Sequence, residues 1–259
     1  MKKILYTGAT SGIAKEVIKK LKNKYYIYIG THTEKQKQLL KQRYIQEKNI
    51  EVIKLDLLNK KDLEKIKKID IDILISNAAI SYGGSISEIE LEKVREIFEI
   101  NVFKNFELVQ IVLEKMIKKN QGKIIMISSL AALMPMKFIG PYSASKASIN
   151  KLTIALKKEL KLINKNIHIS IIEPGMYKTG FNQIMLENKY DWMEKKSYFK
   201  KELETIRKKE SILWNILEKR KLKSITKQIV KAVETNNKFI YSAPLTQRII
   251  AKIHIMINE

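Results

Sequence analysis

The sequence predicts an α/β protein with a Rossmann-type, doubly wound parallel sheet that carries helices on both faces. Two observations predict it: short apolar runs alternate with amphipathic segments up to about residue 175, and no Pro-, Gly- or Ser-rich linker interrupts them. Because βαβ crossovers share one hand, this alternation gives a parallel sheet whose ligand site lies at the carboxyl ends of the strands. We expect a single domain over residues 1–259.

The predicted strands are apolar runs bounded by polar segments. They lie at residues 3–7, 25–30, 50–55, 71–76, 123–128 and 167–172, with a further strand at 238–241. Helices between them are expected to begin at three N-caps: Thr33 with Gln36, Asn59 with Asp62, and Ser87 with Glu90. Two later helices are expected at residues 142–162 and 244–257.

The alternation stops in residues 176–223, which we call the lid segment. It is rich in Lys, Glu and aromatic residues, and from residue 187 to 227 the chain holds thirteen Lys or Arg against seven Asp or Glu. Two amphipathic helices over a substrate entrance would account for this pattern.

Composition excludes several classes of function. Lys and Arg number 50 against 27 acidic residues, a net charge of +23, but only five of the bases are Arg and the Lys are spread along the chain. Base readout favours clustered Arg, so we expect no nucleic-acid partner. With no Cys and three His, no metal site is expected. The apolar start is too short for a signal peptide, and residues 124–136 are too short to span a bilayer, so a cytoplasmic protein is expected.

A glycine turn follows the first predicted strand, with the sequence Thr7-Gly8-Ala9-Thr10-Ser11-Gly12-Ile13-Ala14. Backbone N–H groups and a helix N-terminus at such a turn can bind a pyrophosphate. The spacing G-x-x-x-G-x-A is wider than the usual dinucleotide fingerprint, and by itself an ordinary βα turn also explains it.

Tyr142 and Lys146 stand four residues apart, so on a helix their side chains are adjacent. An ammonium beside a phenol lowers the phenol pKa, which suits acid–base catalysis. That pair alone is more typical of a helix surface than of a catalytic site. A serine pair thirteen residues earlier at a strand end, together with the glycine turn, favours catalysis.

In their order along the chain, these motifs resemble the short-chain dehydrogenase/reductase family in its form of about 250 residues. The family pattern TGxxxGxG is matched with Ala14 at its third glycine, and Ser76-Asn77-Ala78-Ala79 resembles NNAG. Asp56, Asn101 and the PGxxxT pattern at residues 174–179 also fall where the family has them.

The resemblance implies hydride transfer between a nicotinamide and a carbonyl or alcohol carbon. Tyr142 would protonate the alkoxide and Ser129 would hydrogen-bond the same oxygen. Lys146 would lower the Tyr142 pKa and bind the nicotinamide ribose, and Asn101 would hold a relay water. Ser129 matches the family offset, and strand alternation turns Ser128 to the other face.

The resemblance also implies the nucleotide contacts, which follow the carboxyl ends of the strands: Gly8, Thr10, Ser11, Gly12, Ile13, Thr31, His32, Thr33, Asp56, Leu57, Asn77, Ala78, Ala79, Tyr142, Lys146, Pro174, Gly175 and Thr179. No acidic residue ends the second strand, and Thr31 and Thr33 could accept a 2′-phosphate, so NADP(H) is favoured over NAD(H). Glu34 and the non-basic Ser11 keep NAD(H) open.

The substrate is expected to be a small, apolar keto or hydroxy compound. It would contact Ser129, Tyr142, Met176 and Tyr177 in a pocket that also includes Ile80, Ser81, Tyr82, Leu130, Ala131, Met134, Phe138 and Ile139. The lid segment occupies the substrate-loop position of the family, and its basic residues leave open an acidic carrier protein or a membrane surface as a partner. An acidic carrier protein would make a 3-oxoacyl-(acyl carrier) reductase the alternative function. A non-catalytic NADP-sensing module is another. The resemblance implies a homo-oligomer, dimer or tetramer, formed through the helices of Asn101 and Tyr142.

Overall fold

A computed structural model describes residues 1–134, 136–163 and 166–258. Seven strands, all parallel, form one sheet in the order β3-β2-β1-β4-β5-β6-β7, which confirms the predicted α/β fold. The strands are β1 Lys3–Tyr6, β2 Tyr26–Thr31, β3 Ile50–Lys54, β4 Ile73–Ser76, β5 Gly122–Ile127, β6 Ile167–Pro174 and β7 Ile240–Ala243. The strand order reverses between β1 and β4, and a doubly wound sheet forms its ligand crevice at such a point.

The helices cover both faces of the sheet. They are α1 Gly12–Leu21, α2 Glu34–Arg43, α3 Lys60–Lys68, α4 Leu91–Phe98, α5 Asn105–Lys118, α6 Gly140–Ile163, α7 Phe181–Lys196, α8 Leu203–Leu217, α9 Lys223–Glu234 and α10 Leu245–Asn258. A π-helical segment, Glu99–Lys104, joins α4 to α5. None of the helices in the described part of the chain combines the length and apolar character needed to span a membrane.

Strand alternation divides the core into two layers. In β1, Ile4 and Tyr6 face the layer that packs against α1 and α9, whereas Leu5 faces the layer that packs against α3, α5 and α6. Aliphatic side chains fill both layers. The apolar area that they bury stabilises the sheet on each face and so fixes the positions of the strand ends.

Two of the three expected N-caps are confirmed and one is wrong. Thr33 and Gln36 form a reciprocal capping box at α2, and the Asn59 side chain accepts N–H bonds at the start of α3. Helix α4 instead begins at Leu91, after Glu90. The residues around Ser87 form a turn that precedes the helix. In this turn the Ser87 N–H donates to the Ser85 hydroxyl at 3.3 Å.

The lid segment contains α7 and α8, and its two ends lie side by side next to the sheet. The Lys219 N–H donates to Met176 O at 2.9 Å, and the Lys178 N–H donates to Lys219 O at 3.1 Å. Side chains attach the rest of the segment to the scaffold: Trp192 Nε1 donates to Gly83 O at 3.1 Å, and the Ser197 hydroxyl donates to Glu88 at 2.7 Å.

Gly84 makes room for this attachment. Its φ is +154°, and a Cβ at this position would lie 2.2 Å from Cζ2 of Trp192. A side chain here would therefore displace the indole from its place against the loop that precedes α4.

Candidate active site

A cavity opens at the carboxyl edge of the sheet, beside the reversal between β1 and β4. Most residues predicted to contact cofactor or substrate line it: Gly8, Thr10, Ser11, Ile13, Thr31, His32, Asp56, Leu57, Asn77, Ala78, Ala79, Ser129, Tyr142, Lys146, Pro174, Gly175, Met176, Tyr177 and Thr179. Among the predicted catalytic and cofactor-binding residues, Gly12, Thr33 and Asn101 are outside this lining. Parallel topology brings these separate segments to one edge.

The glycine turn is bonded to the loop that follows β4. Asn77 Nδ2 donates to Thr7 O at 3.1 Å and to Gly8 O at 2.9 Å, and the Thr7 hydroxyl accepts the Asn77 and Ala78 N–H groups. Gly8 has a φ of +58°, and a Cβ on it would lie 2.8 Å from the Cα of Ala78. Only glycine therefore fits this approach of the two loops.

Helix α1 presents its N-terminus beside this turn. The Ser11 hydroxyl caps the helix by accepting the Ala14 N–H at 3.2 Å. Helix geometry leaves the N–H groups of Gly12 and Ile13 without an intrahelical acceptor, and the helix dipole places partial positive charge there. These residues fit the pyrophosphate of a dinucleotide.

Ser129 stands at the end of β5, where a short 3₁₀ turn, Leu130–Ala132, begins. Its hydroxyl accepts the Ala131 N–H at 3.1 Å and lies 3.5 Å from Pro174 O. Ser128 is buried, and its hydroxyl donates to Lys146 O at 3.2 Å. The two hydroxyls thus bond to different elements, as strand alternation predicts.

Tyr142 and Lys146 lie in the first two turns of α6. Burial raises the pKa of Tyr142 to about 12, although a hydrogen bond with the Ser129 side chain opposes the shift. Burial lowers the pKa of Lys146 to about 8. Its Nζ donates to Ile127 O at 3.0 Å and lies 5.7 Å from the centre of the Tyr142 ring. The expected lowering of the Tyr142 pKa by Lys146 is not found, because desolvation of the phenol dominates.

Asn101 lies in the π-helical segment and is fully buried. Its amide bonds to both backbone groups of Ile80: Nδ2 donates to Ile80 O at 2.9 Å, and Oδ1 accepts the Ile80 N–H at 2.8 Å. Nδ2 also donates to the Ser145 hydroxyl at 3.1 Å, and that hydroxyl donates to Tyr142 O at 2.7 Å. Asn101 therefore joins the loop after β4 to the helical turn that carries Tyr142.

At the end of β2, both threonine hydroxyls are engaged within the fold. Thr31 is buried and its hydroxyl donates to Ile53 O at 3.1 Å, while the Thr33 hydroxyl accepts the Gln36 N–H at 3.2 Å. Gln36 Oε1 accepts the N–H groups of His32 and Thr33 at 3.0 and 3.3 Å. His32 Nε2 lies 3.8 Å from an Asp56 oxygen. Thr31, His32 and Gln36 line this end of the cavity, whereas Thr33 does not.

Besides Ser129 and Tyr142, seven of the ten other residues expected in the substrate pocket line the cavity: Ile80, Leu130, Ala131, Met134, Ile139, Met176 and Tyr177. Ser81, Tyr82 and Phe138 do not. The Tyr82 hydroxyl donates to Glu96 at 2.9 Å, and Phe138 packs edge-on against Phe199 of the lid segment, with ring centres 5.5 Å apart. Tyr82 therefore contacts α4, and Phe138 contacts the turn between α7 and α8.

Three helices add lining residues that were not among those predicted. Phe181, Asn182 and Met185 come from α7, Trp214 and Leu217 from α8, and Gln247 and Ile250 from α10. Gln247 Oε1 accepts the Met176 N–H at 2.8 Å, and its Nε2 donates to Leu217 O at 2.6 Å. No spacing in the sequence links position 247 to position 176, so no local signal could have found this contact.

Acidic residues and histidines are sparse around the cavity. Within the described ranges, no group of three or more His, Cys, Asp or Glu residues could hold a metal ion. The chemistry of the site therefore depends on hydroxyl, ammonium and amide groups.

Comparison with models of protein families identifies the family of this chain. A model of the short-chain dehydrogenase family matches residues 2–189. The chain belongs to this family and is an NAD(P)-dependent oxidoreductase.

Several characterised or named relatives are similar over about two thirds of their length. A probable short-chain type dehydrogenase/reductase of Helicobacter pylori, VdlC, is 33% identical over 70% of this chain and 67% of its own. An NADPH-dependent 3-dehydrocapnine reductase of Ornithobacterium rhinotracheale is 30% identical, over 69% and 66%. The 3-oxoacyl-[acyl-carrier-protein] reductase FabG of Buchnera aphidicola is 34% identical, over 68% and 74%.

Among solved structures, a short-chain dehydrogenase/reductase from Burkholderia phymatum in complex with NAD has the same fold. It superposes with a TM-score of 0.81 at 17% identity, covering 97% of this chain and 92% of its own.

Proposed function

We propose that this protein transfers hydride between NADP(H) and the carbonyl or alcohol carbon of a small apolar keto or hydroxy compound. The observation that supports this most is the meeting of Ser129, Tyr142 and Lys146 in one cavity, whose other end is bounded by the Gly8 turn and the N-terminus of α1. Among the described residues, no group of three or more His, Cys, Asp or Glu could hold a metal ion, and the sequence has no cysteine to act as a nucleophile.

The residues that would hold the dinucleotide follow from this geometry. The Gly8 turn and the N–H groups of Gly12 and Ile13 would hold the pyrophosphate, Asp56 and Leu57 the adenine, and Lys146 the nicotinamide ribose. Thr10, Ser11, the Asn77–Ala79 loop, Pro174, Gly175 and Thr179 would complete the contacts. Bound there, the nicotinamide supplies or accepts the hydride.

In the reduction direction, Tyr142 acts as the proton donor. With its pKa raised to about 12, the phenol keeps its proton at neutral pH and can give it to a developing alkoxide. Ser129 donates a hydrogen bond to the same oxygen and so stabilises its negative charge. Lys146, with a pKa of about 8, is mostly an ammonium at pH 7 and contributes positive charge beside that oxygen. Asn101 fixes the turn that carries Tyr142.

Tyr142→Phe tests this mechanism. We expect the variant to lose turnover of ketone substrates by at least about a thousandfold, while its affinity for NADPH changes less than about threefold. Ser148→Ala, which removes an exposed hydroxyl from the same helix, is the matched control. A Tyr142→Phe variant with wild-type turnover would contradict the assignment. Wild-type protein that binds NADPH but reduces no ketone would favour the non-catalytic sensing module.

The preference for NADP(H) rests on the end of β2, where His32 and Gln36 line the cavity and β2 contributes no carboxylate; the nearby Asp56 carboxylate follows β3 and lies 3.8 Å from His32 Nε2. A carboxylate in that position would repel a 2′-phosphate. The NADPH dependence named for the Ornithobacterium relative supports the same choice. We expect kcat/KM for NADPH to exceed that for NADH by at least about tenfold, and His32→Asp to reverse the order; equal values for both cofactors in the wild type would contradict it.

A 3-oxoacyl-(acyl carrier) reductase is the second candidate. The Buchnera FabG relative and the excess of basic residues in the lid segment favour it. Turnover of a 3-oxoacyl group on an acidic carrier protein, compared with the same group on a short thiol, separates the two candidates. A carrier-bound substrate should show a lower KM that rises with salt.

We further propose that the protein is a homo-oligomer that pairs through α5 and α6. Phe103, just before α5, and Leu152 of α6 are exposed apolar residues on these elements. Sedimentation velocity at micromolar concentration tests this, and a monomer would contradict it.

A further inference from the structure

Two helices at the mouth of the cavity turn apolar residues outward. On α8 the inner stripe is Leu203, Glu210, Trp214 and Leu217, which contact the lid segment or line the cavity, and the opposite stripe carries Ile212 and Ile216. Ile216 is 67% exposed. A surface helix normally turns polar residues toward water, so the exposed Ile212 and Ile216 depart from the usual pattern.

Helix α10 also turns apolar residues toward water. Gln247 and Ala251 face inward, whereas Leu245, Ile249, Ile253 and Met256 form one stripe along the exposed side. Ile253 is 50% exposed and Met256 is 83% exposed. The two helices are adjacent, because Gln247 of α10 donates to the carbonyl of Leu217 at the end of α8.

The charges beside this apolar face are almost all positive. Lys208 and Lys209 lie on the outer side of α8, Lys219-Arg220-Lys221 follows it, and Lys252 lies beside Ile253 on α10. No Asp or Glu occurs between Thr235 and Asn258. On α8, Glu204 pairs with Lys208, and Glu210 is turned inward to Lys189. Apolar residues surrounded by lysines are typical of a helix that lies in the interface of an anionic membrane.

We propose that the outward faces of α8 and α10 dock on an anionic lipid bilayer and hold the cavity mouth against it. Trp214 and Ile250 of the same helices line the cavity, so the docked face is continuous with the entrance. In a twofold dimer that pairs through α10, the cations of one copy would lie opposite the same cations of the other and repel them. No carboxylate between Thr235 and Asn258 would offset this repulsion. Delivery of an apolar substrate from the lipid rests on the proposed function, whereas docking itself does not.

The test compares the full-length chain with two double variants of equal charge. Ile216→Glu/Ile253→Glu changes the docking face at residues outside the cavity lining. Ile45→Glu/Leu162→Glu is the control: these residues are 77% and 85% exposed, and they follow α2 and end α6, at the opposite edge of the sheet. Binding is measured by co-sedimentation with phosphatidylcholine vesicles that contain either about 30% phosphatidylglycerol or none.

We expect the wild type and the control to bind the anionic vesicles, more weakly at high salt, and the docking-face variant to bind at least about tenfold less. Absence of wild-type binding would overturn the proposal, and so would an equal loss in both variants, which would show a net-charge effect. A wild-type dimer that only the docking-face variant dissociates would show that a second copy covers the face instead. NADPH-dependent reduction of a water-soluble ketone, measured without vesicles, should be equal in all three proteins, so that a missing activity is distinguishable from missing docking.

Discussion

The buried ion pair between α7 and α8 gives the sharpest prediction about the lid segment. Lys189 is 1% exposed, and its Nζ donates to both carboxylate oxygens of Glu210 at 2.7 and 2.6 Å. The same ammonium lies 4.4 Å from the centre of the Tyr190 ring. Glu210→Gln leaves this ammonium buried without its counter-charge, and burial already lowers the pKa of Lys189. Breaking a buried pair costs roughly 3 to 5 kcal/mol. Since about a fifth of Glu210 remains exposed, we expect a loss near the lower limit, about 3 kcal/mol.

Both tryptophans of the chain lie in the lid segment, so the assay can localise the effect. In urea titrations, Trp fluorescence reports unfolding of α7 and α8, and far-UV circular dichroism reports the whole protein. We expect the fluorescence midpoint of Glu210→Gln to fall well below that of the wild type, and Lys189→Met/Glu210→Leu to recover most of the loss. Glu204→Gln, in the exposed pair with Lys208 on the same helix, is the matched control and should leave both midpoints unchanged. If Glu210→Gln and Glu204→Gln behave alike, the pair does not hold the lid segment together.

Three further predictions concern the scaffold. Gly8→Ala should lower the free energy of unfolding by at least about 2 kcal/mol and weaken NADPH binding in fluorescence titrations, because φ is +58° and the new Cβ would meet Ala78. Asn101→Ala should cost about 2 kcal/mol in urea unfolding and lower kcat, because both backbone groups of Ile80 lose their partner; unchanged kcat would contradict its positioning role. Burial lowers the pKa of Lys123 to about 8, so the unfolded chain binds more protons between pH 8 and about 10.4, and stability contributed by this group rises with pH in that window. Lys123→Met should abolish that rise, as followed by thermal unfolding at several pH values.

The parts of the fold that follow from local pattern could be predicted from the sequence. Apolar runs gave the strands to within a few residues, and the glycine turn and the Tyr142–Lys146 spacing stand on the elements expected for them. Parallel topology then brings their ends to one edge without further information. The cap at Ser87 was wrong because a Ser-x-x-Glu pattern also fits a turn, and the structure starts α4 later, at Leu91.

Long-range contacts and burial were beyond the sequence. Gln247 reaches Met176 across 71 residues, and no periodicity encodes that pairing. The pKa of Tyr142 depends on two opposing effects, burial and neighbouring polar groups, and only the packed structure shows that burial dominates. Phe138 was expected in the pocket, but contact with Phe199 of the lid segment draws it away.

The attachment of the lid segment has a consequence for how such proteins diversify. Its two ends meet at an isolated β-bridge between Tyr177 and Lys219, outside the strands of the sheet, while Gly84 and Glu88 contact its side chains. The seven-stranded sheet contributes no strand to the segment and takes none from it among the described residues. We therefore expect the segment to be exchangeable: replacing it between positions 177 and 219 should leave the sheet intact, and should alter substrate selectivity while Ser129, Tyr142 and Lys146 stay in place.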